Sequence, residues 1–117
     1  MTSINLPHQL PIRFAKYIVS KEEDSAKVFT EFPELPSLAM LVEAAAQSCA
    51  ALESEDNKEG YLLALKNIKL HEEITKNSYT IIVSKEHDFG NMIYVEFEVI
   101  DETVKVADGY LTVAIQE

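Results

Sequence analysis

Residues 36–53, PSLAMLVEAAAQSCAALE, set the strongest limit on what this chain can fold into. They form the longest apolar run in the sequence, and their alanine content suits a helix rather than a strand. After Leu35, Pro36 and Ser37, only Glu43, Gln47 and Ser48 interrupt the run before Glu53. A helix that is apolar nearly all round is buried on most of its sides. Such a helix would be roughly 25–27 Å long, about the width of a small domain. Ala39, Ala44, Ala45, Ala46, Ala50 and Ala51 keep its side chains small, so its backbone can lie close against a sheet. Glu43 and Gln47 are spaced to share one stripe of the helix. A carboxylate on a mostly buried helix is costly unless it is paired, hydrated or protonated. Glu43 is therefore the first residue that needs a functional explanation.

The chain has 117 residues, which suffices for a single domain over 1–117 with one hydrophobic core. The central run is long enough to suggest a membrane span, but Glu43 and Gln47 in its middle argue for a core helix. No signal peptide is expected, because MTSINLPHQLP has neither a basic nor an apolar segment. Cys49 is the sole cysteine; it excludes an internal disulfide and fits a reducing cytoplasm. Ten basic against twenty acidic residues leave a formal net charge of −10. That charge opposes non-specific binding to nucleic acid or to an anionic membrane. Docking of an acidic carrier protein would need a local basic patch, for which Arg13, Lys16, Lys66 and Lys69 are the candidates. Three histidines without clustered spacing and one cysteine do not make a zinc site, and no cofactor is expected.

Strands surround the helix. Residues 1–11 carry Pro7 and Pro11 and read as a short turn before the first strand, RFAKYIVS at 13–20. After a charged turn at 21–24, residues 25–32 alternate, with Ala26, Val28 and Thr30 on one face. Pro33 and Pro36 stiffen the connection to the helix, and Pro36 suits the first helical turn. Residues 53–60 are a polar loop. Residues 61–70, YLLALKNIKL, suit a strand buried on both faces at its start and on one face later. Residues 78–84 are β-branched and aromatic, and Gly90-Asn91 mark a turn. Over 92–100, Ile93, Val95, Phe97 and Val99 oppose Tyr94, Glu96 and Glu98. Residues 103–115 form a long strand in which Asp108-Gly109 suggests a bulge. A meandering antiparallel sheet must cover its apolar face, and one long helix does so.

This pattern is that of the α+β hotdog fold, an antiparallel sheet wrapped around one central helix, and particular motifs strengthen the likeness. Leu6-Pro7-His8-x-x-Pro11 resembles the LPHxxP opening of the β-hydroxyacyl-carrier-protein dehydratases. Phe32-Pro33 resembles the Phe-Pro of their active-site loop, and Glu43-Ala44-Ala45-Ala46-Gln47 resembles their helix motif E-A-x-A-Q. The likeness covers nearly the whole chain. Two departures stand out. A histidine precedes the Phe-Pro in those enzymes, and here Glu31 takes its place. The loop that follows is about two residues shorter and lacks their glycines, which makes it more similar to aryl-polyene dehydratase-like proteins.

In the resembled family the histidine removes the α-proton and the helix carboxylate handles the leaving hydroxyl. The resemblance thus makes Glu43 the candidate catalytic residue. Without the histidine, the best general base near neutral pH is gone. Glu31 marks its place and His8 is a weaker substitute. Phe32, Pro36, Ser37, Leu38 and Gln47 are the expected ligand-binding residues. The ordinary alternatives are a solvent-facing Glu31, a structural His8 and a structural Gln47. Cys49 reads as a small buried residue, and Ser37 as part of the helix start. The resemblance implies a homodimer or a dimer of dimers, with the acyl channel along the helix. The first functional expectation is a dehydratase-like protein that binds a fatty acyl thioester, on coenzyme A or on acyl carrier protein, with dehydration lost or weakened. The second is an active enzyme, either a thioesterase in which Glu43 activates water or a non-standard dehydratase. The third is a structural or regulatory dimer module.

Overall fold

The computed structural model describes residues 14–52 and 59–116. Its elements run β1 (Ala15–Lys21), β2 (Ser25–Glu31), α1 (Leu38–Ser48), β3 (Glu59–Leu70), β4 (Ser78–Asp88), β5 (Met92–Asp101) and β6 (Val104–Gln116), with a short 3-10 turn at Cys49–Leu52. The strands make one antiparallel sheet in the order β1-β2-β4-β5-β6-β3. The helix and the predicted strands are thus all present. The expected turn at 1–11, together with His8 and Arg13, lies outside the described residues, as does most of the expected loop after the helix. Among the described residues no helix is long and apolar enough to cross a membrane.

Period-two patterning fixes which face of the sheet is dry. Ala26, Val28 and Thr30 of β2 are buried, as are Ile81 and Val83 of β4 and Ile93, Val95, Phe97 and Val99 of β5. The buried Thr30 hydroxyl donates to the Tyr79 carbonyl at 2.8 Å. The Tyr79 hydroxyl accepts from the backbone N–H groups of Thr75 and Lys76, both at 3.1 Å, and so anchors the turn that leads into β4.

The helix is shorter than its sequence suggests. Pro36 is buried just outside it, and Ser37 is the N-cap, with its hydroxyl accepting from the Met40 N–H at 3.2 Å. Regular α-helix covers 11 residues, about 16 Å. The chain then tightens into the 3-10 turn, which adds about 8 Å. The hydroxyl of Ser48 donates to the Ala44 carbonyl at 2.7 Å and the thiol of Cys49 to Ala45 at 3.3 Å. Such bonds to the preceding turn satisfy buried polar atoms and loosen the helix end. Leu41, Val42, Ala44, Ala45 and Ala46 lie against the sheet, with the alanines fully buried.

Two expectations about the last strands change. β3 is not buried on both faces at its start, and among the described residues it ends the sheet and pairs only with β6. Leu63 and Leu65 remain 56% and 55% exposed. The irregularity near Gly109 also falls on the opposite strand. Lys66 pairs with Tyr110 and Lys69 with Asp108, so Asn67 and Ile68 together face Gly109. That is a β-bulge in β3, and Asn67 takes the left-handed conformation with φ 55°.

Candidate functional site

One stripe of α1 carries Glu43 and Gln47, both half-buried. Beside it runs a groove of about 590 Å3 between α1 and β3. Helical spacing brings Leu38, Ala39, Val42 and Glu43 to the same wall. Tyr61, Leu62, Leu65 and Ile68 of β3 form the other wall. Among the described residues that line it, only Glu43 and Tyr61 bring polar side chains. A mostly apolar cleft with a few polar groups is the usual form of a small-molecule site.

The structure brings two of the sequence-predicted residues, Glu43 and Leu38, into this groove. Ser37 instead caps the helix. Phe32 is buried, its ring stacked on Phe14 with centroids 5.4 Å apart, and its N–H donates to the Asn77 carbonyl at 2.8 Å. Pro36 is buried in the same connection. Gln47 follows Glu43 along the stripe, but its side chain does not line the groove. Its carbonyl accepts from the Lys16 ammonium at 3.3 Å, a favourable pairing of a cation with a helix C-terminus. Glu31 ends β2 exposed to solvent, away from the groove walls.

Sequence reasoning missed the β3 wall. Its signal was the run Tyr61-Leu62-Leu63-Ala64-Leu65, which was read as doubly buried but is an apolar edge. Cys49 is fully buried, and burial pushes its thiol up to about 12, against a smaller opposing pull from Lys16. A thiol so far from ionising is not a nucleophile near neutral pH. His71 is exposed and lies 3.1 Å from the Asp108 carboxylate, while exposed His87 sits against Phe89 and Tyr94. Neither lines the groove. Among the described residues no group of three or more His, Cys, Asp or Glu is placed to hold a metal.

No protein-family profile matches the sequence, and no curated protein matches it. Solved structures do match in shape. A Streptococcus mutans protein bound to acetyl-CoA is 16% identical and superposes with a TM-score of 0.69, over 96% of this chain and 97% of its own. A phenylacetic acid degradation-related protein of Ralstonia eutropha, named a candidate thioesterase, gives 17% identity and a TM-score of 0.67, over 85% and 83% of the two chains. A thioesterase from Haemophilus influenzae gives 13% and 0.63, over 87% and 78%. At these identities the likeness shows the fold, a hotdog-type sheet around one helix. The narrower resemblance to the dehydratases is not established by it.

Proposed function

We propose that this chain is a hotdog acyl-thioester hydrolase that acts on acyl-coenzyme A as a homodimer, with Glu43 as its catalytic base. The observation that carries this reading is the half-buried Glu43 carboxylate on an apolar groove between α1 and an unfinished sheet edge. The groove fits an acyl chain, and the carboxylate can polarise a water at its wall. The names of the similar structures favour hydrolysis over dehydration. The acetyl-CoA held by the Streptococcus mutans protein favours a coenzyme A thioester. Exposed Glu31, where the dehydratases keep a histidine, gives dehydration little support.

In the proposed step, Glu43 accepts a proton from water as the water oxygen bonds to the thioester carbonyl carbon. Collapse of the tetrahedral species breaks the C–S bond. The proton held by Glu43 passes to the departing thiolate, and the products are a carboxylic acid and a free thiol. Leu38 and Ala39 line the groove from the first turn of α1, whose N–H groups have no partners within the helix. The positive end of the helix dipole there favours a developing oxyanion.

The edge strand β3 supports the dimer. Among the described residues its outer edge is unpaired in the sheet order, and its exposed Leu65 lines the groove. Edge-to-edge pairing of two copies would satisfy the backbone and close the open side of the site.

Steady-state hydrolysis of acetyl-, hexanoyl- and decanoyl-CoA tests the assignment. Wild type should release acid and thiol. Glu43→Gln, which keeps the shape and removes the base, should lower kcat roughly a hundred- to ten-thousand-fold. A Glu43→Gln protein as active as wild type would refute the role. Binding of acyl-CoA without turnover by wild type would leave the alternative of an acyl-thioester carrier.

A further inference from the structure

The β3 bulge and Gly109 have a consequence for the depth of the groove. Asn67 and Ile68 both face Gly109, and the bulge turns Ile68 onto the inner face of the sheet, where it packs against the core cluster and lines the groove. Gly109, the only glycine of β6, makes room for it. A Cβ at residue 109 would stand 2.4 Å from Ile68 Cδ1 and 3.1 Å from Ile68 Cα, and 3.0 Å from the Phe97 ring. The Ile68 side chain thus sinks into the hollow left by the missing side chain, against Phe97, instead of standing up into the groove.

The order of residues along β3 puts Tyr61 at one end of that wall and Ile68 at the other. The Tyr61 end carries a hydroxyl, whereas the Leu65–Ile68 end is all carbon. An apolar acyl tail gains most by pointing toward the carbon end, since burial favours binding about fourfold for each methylene.

We infer that Ile68, recessed over Gly109 by the Asn67 bulge, is the end wall of the acyl site and sets the length of acyl chain the protein accepts. This rests on the groove being an acyl-thioester site, as proposed above, and names the residues that select among its substrates. The recess makes room for chains longer than acetyl. Anything that lifts Ile68 shortens the accepted chain, and anything that trims it lengthens the chain.

The test measures binding of a series of non-hydrolysable acyl-CoA thioethers, from acetyl through hexanoyl and decanoyl to palmitoyl, by titration calorimetry, so that turnover does not enter. The readout is the affinity for each chain relative to acetyl. Ile68→Ala removes about three carbon atoms and should move the preferred chain to a longer member of the series. Ile68→Phe should lower the ratio of decanoyl to acetyl affinity at least ~tenfold, the worth of one to two methylenes. Gly109→Ala should act in the same direction as Ile68→Phe, because its methyl group forces Ile68 into the groove. It can also disturb the sheet, so the two Ile68 variants, confirmed as folded by circular dichroism, carry the decision. Wild type that binds the series while both Ile68 variants keep its chain-length profile would overturn the ruler and leave the acyl site standing. Wild type that binds no acyl-CoA thioether would overturn the acyl site and the ruler with it.

Discussion

Glu43 and Cys49 share one helical stretch, and their surroundings give them opposite chemistry. Glu43 lines the groove from α1 and is half-buried there. Cys49 lies on the sheet side, fully buried, its thiol already donating to a carbonyl. Cys49 therefore should resist alkylation by iodoacetamide in the folded protein and react only when the chain unfolds, which mass spectrometry of native and urea-treated samples reads directly. Burial also links this thiol to stability. Its folded value is raised from 9.0 to about 12, so the unfolded chain loses this proton first as pH rises. The contribution is complete below pH 9 and lost between 9 and 12. Across that window the stability of wild type should fall more steeply than that of Cys49→Ala, by up to ~1.4 kcal/mol per pH unit. Equal slopes in urea unfolding would contradict the burial argument.

At the scale of elements, β3 carries most of what is new. Asn67 holds φ 55° at its bulge, a conformation that costs most L-residues roughly 1–2 kcal/mol and that asparagine tolerates better. Asn67→Val should lower the unfolding free energy from urea titration by a matching amount, while Asn67→Gly should stay within about 0.5 kcal/mol of wild type. A harmless Asn67→Val would mean that the bulge is not held in this form. The same strand shows what could be read from the sequence and what could not. The alternation of Ile93, Val95, Phe97 and Val99 placed β5 correctly because a half-buried strand needs two unlike faces. The helix was legible from its long alanine-rich apolar run, whereas the place of Glu43 on the groove came from the resemblance of Glu43-Ala44-Ala45-Ala46-Gln47 to the dehydratase helix motif. The end of α1 was not legible, because Ser48 and Cys49 bond backward into the preceding turn and hand the chain to a 3-10 turn with no change in hydrophobicity. The fate of the run from Tyr61 to Leu65 was not legible either. A doubly buried strand and an apolar edge awaiting a partner have the same composition, and only the strand order separates them. Gly109 signalled an irregularity, but a glycine that accommodates a bulge and a glycine that makes one look alike in sequence.

At the scale of the whole molecule, the sheet leaves two apolar edges, β1 with Tyr17, Ile18 and Val19, and β3 with Leu63 and Leu65. Only β3 borders the groove, so pairing there would complete a site as well as cover an edge. Leu63→Asp places a charge on that edge and outside the groove walls. It should shift the protein toward monomer in light scattering at micromolar concentration, and a dimer of undiminished stability would contradict pairing through β3. The net charge of −10 also shapes what reaches the site. Over most of the surface it repels an acidic carrier protein and the phosphates of coenzyme A alike. The proposed reaction turns on water, activated by Glu43, as the reagent that cleaves an acyl thioester. The direct measurement is mass spectrometry of the acid released from decanoyl-CoA in heavy-oxygen water. Free decanoic acid carrying one heavy oxygen, formed by wild type and lost in Glu43→Gln, is the expected result. Intact thioester, or acid formed equally by Glu43→Gln, would contradict it.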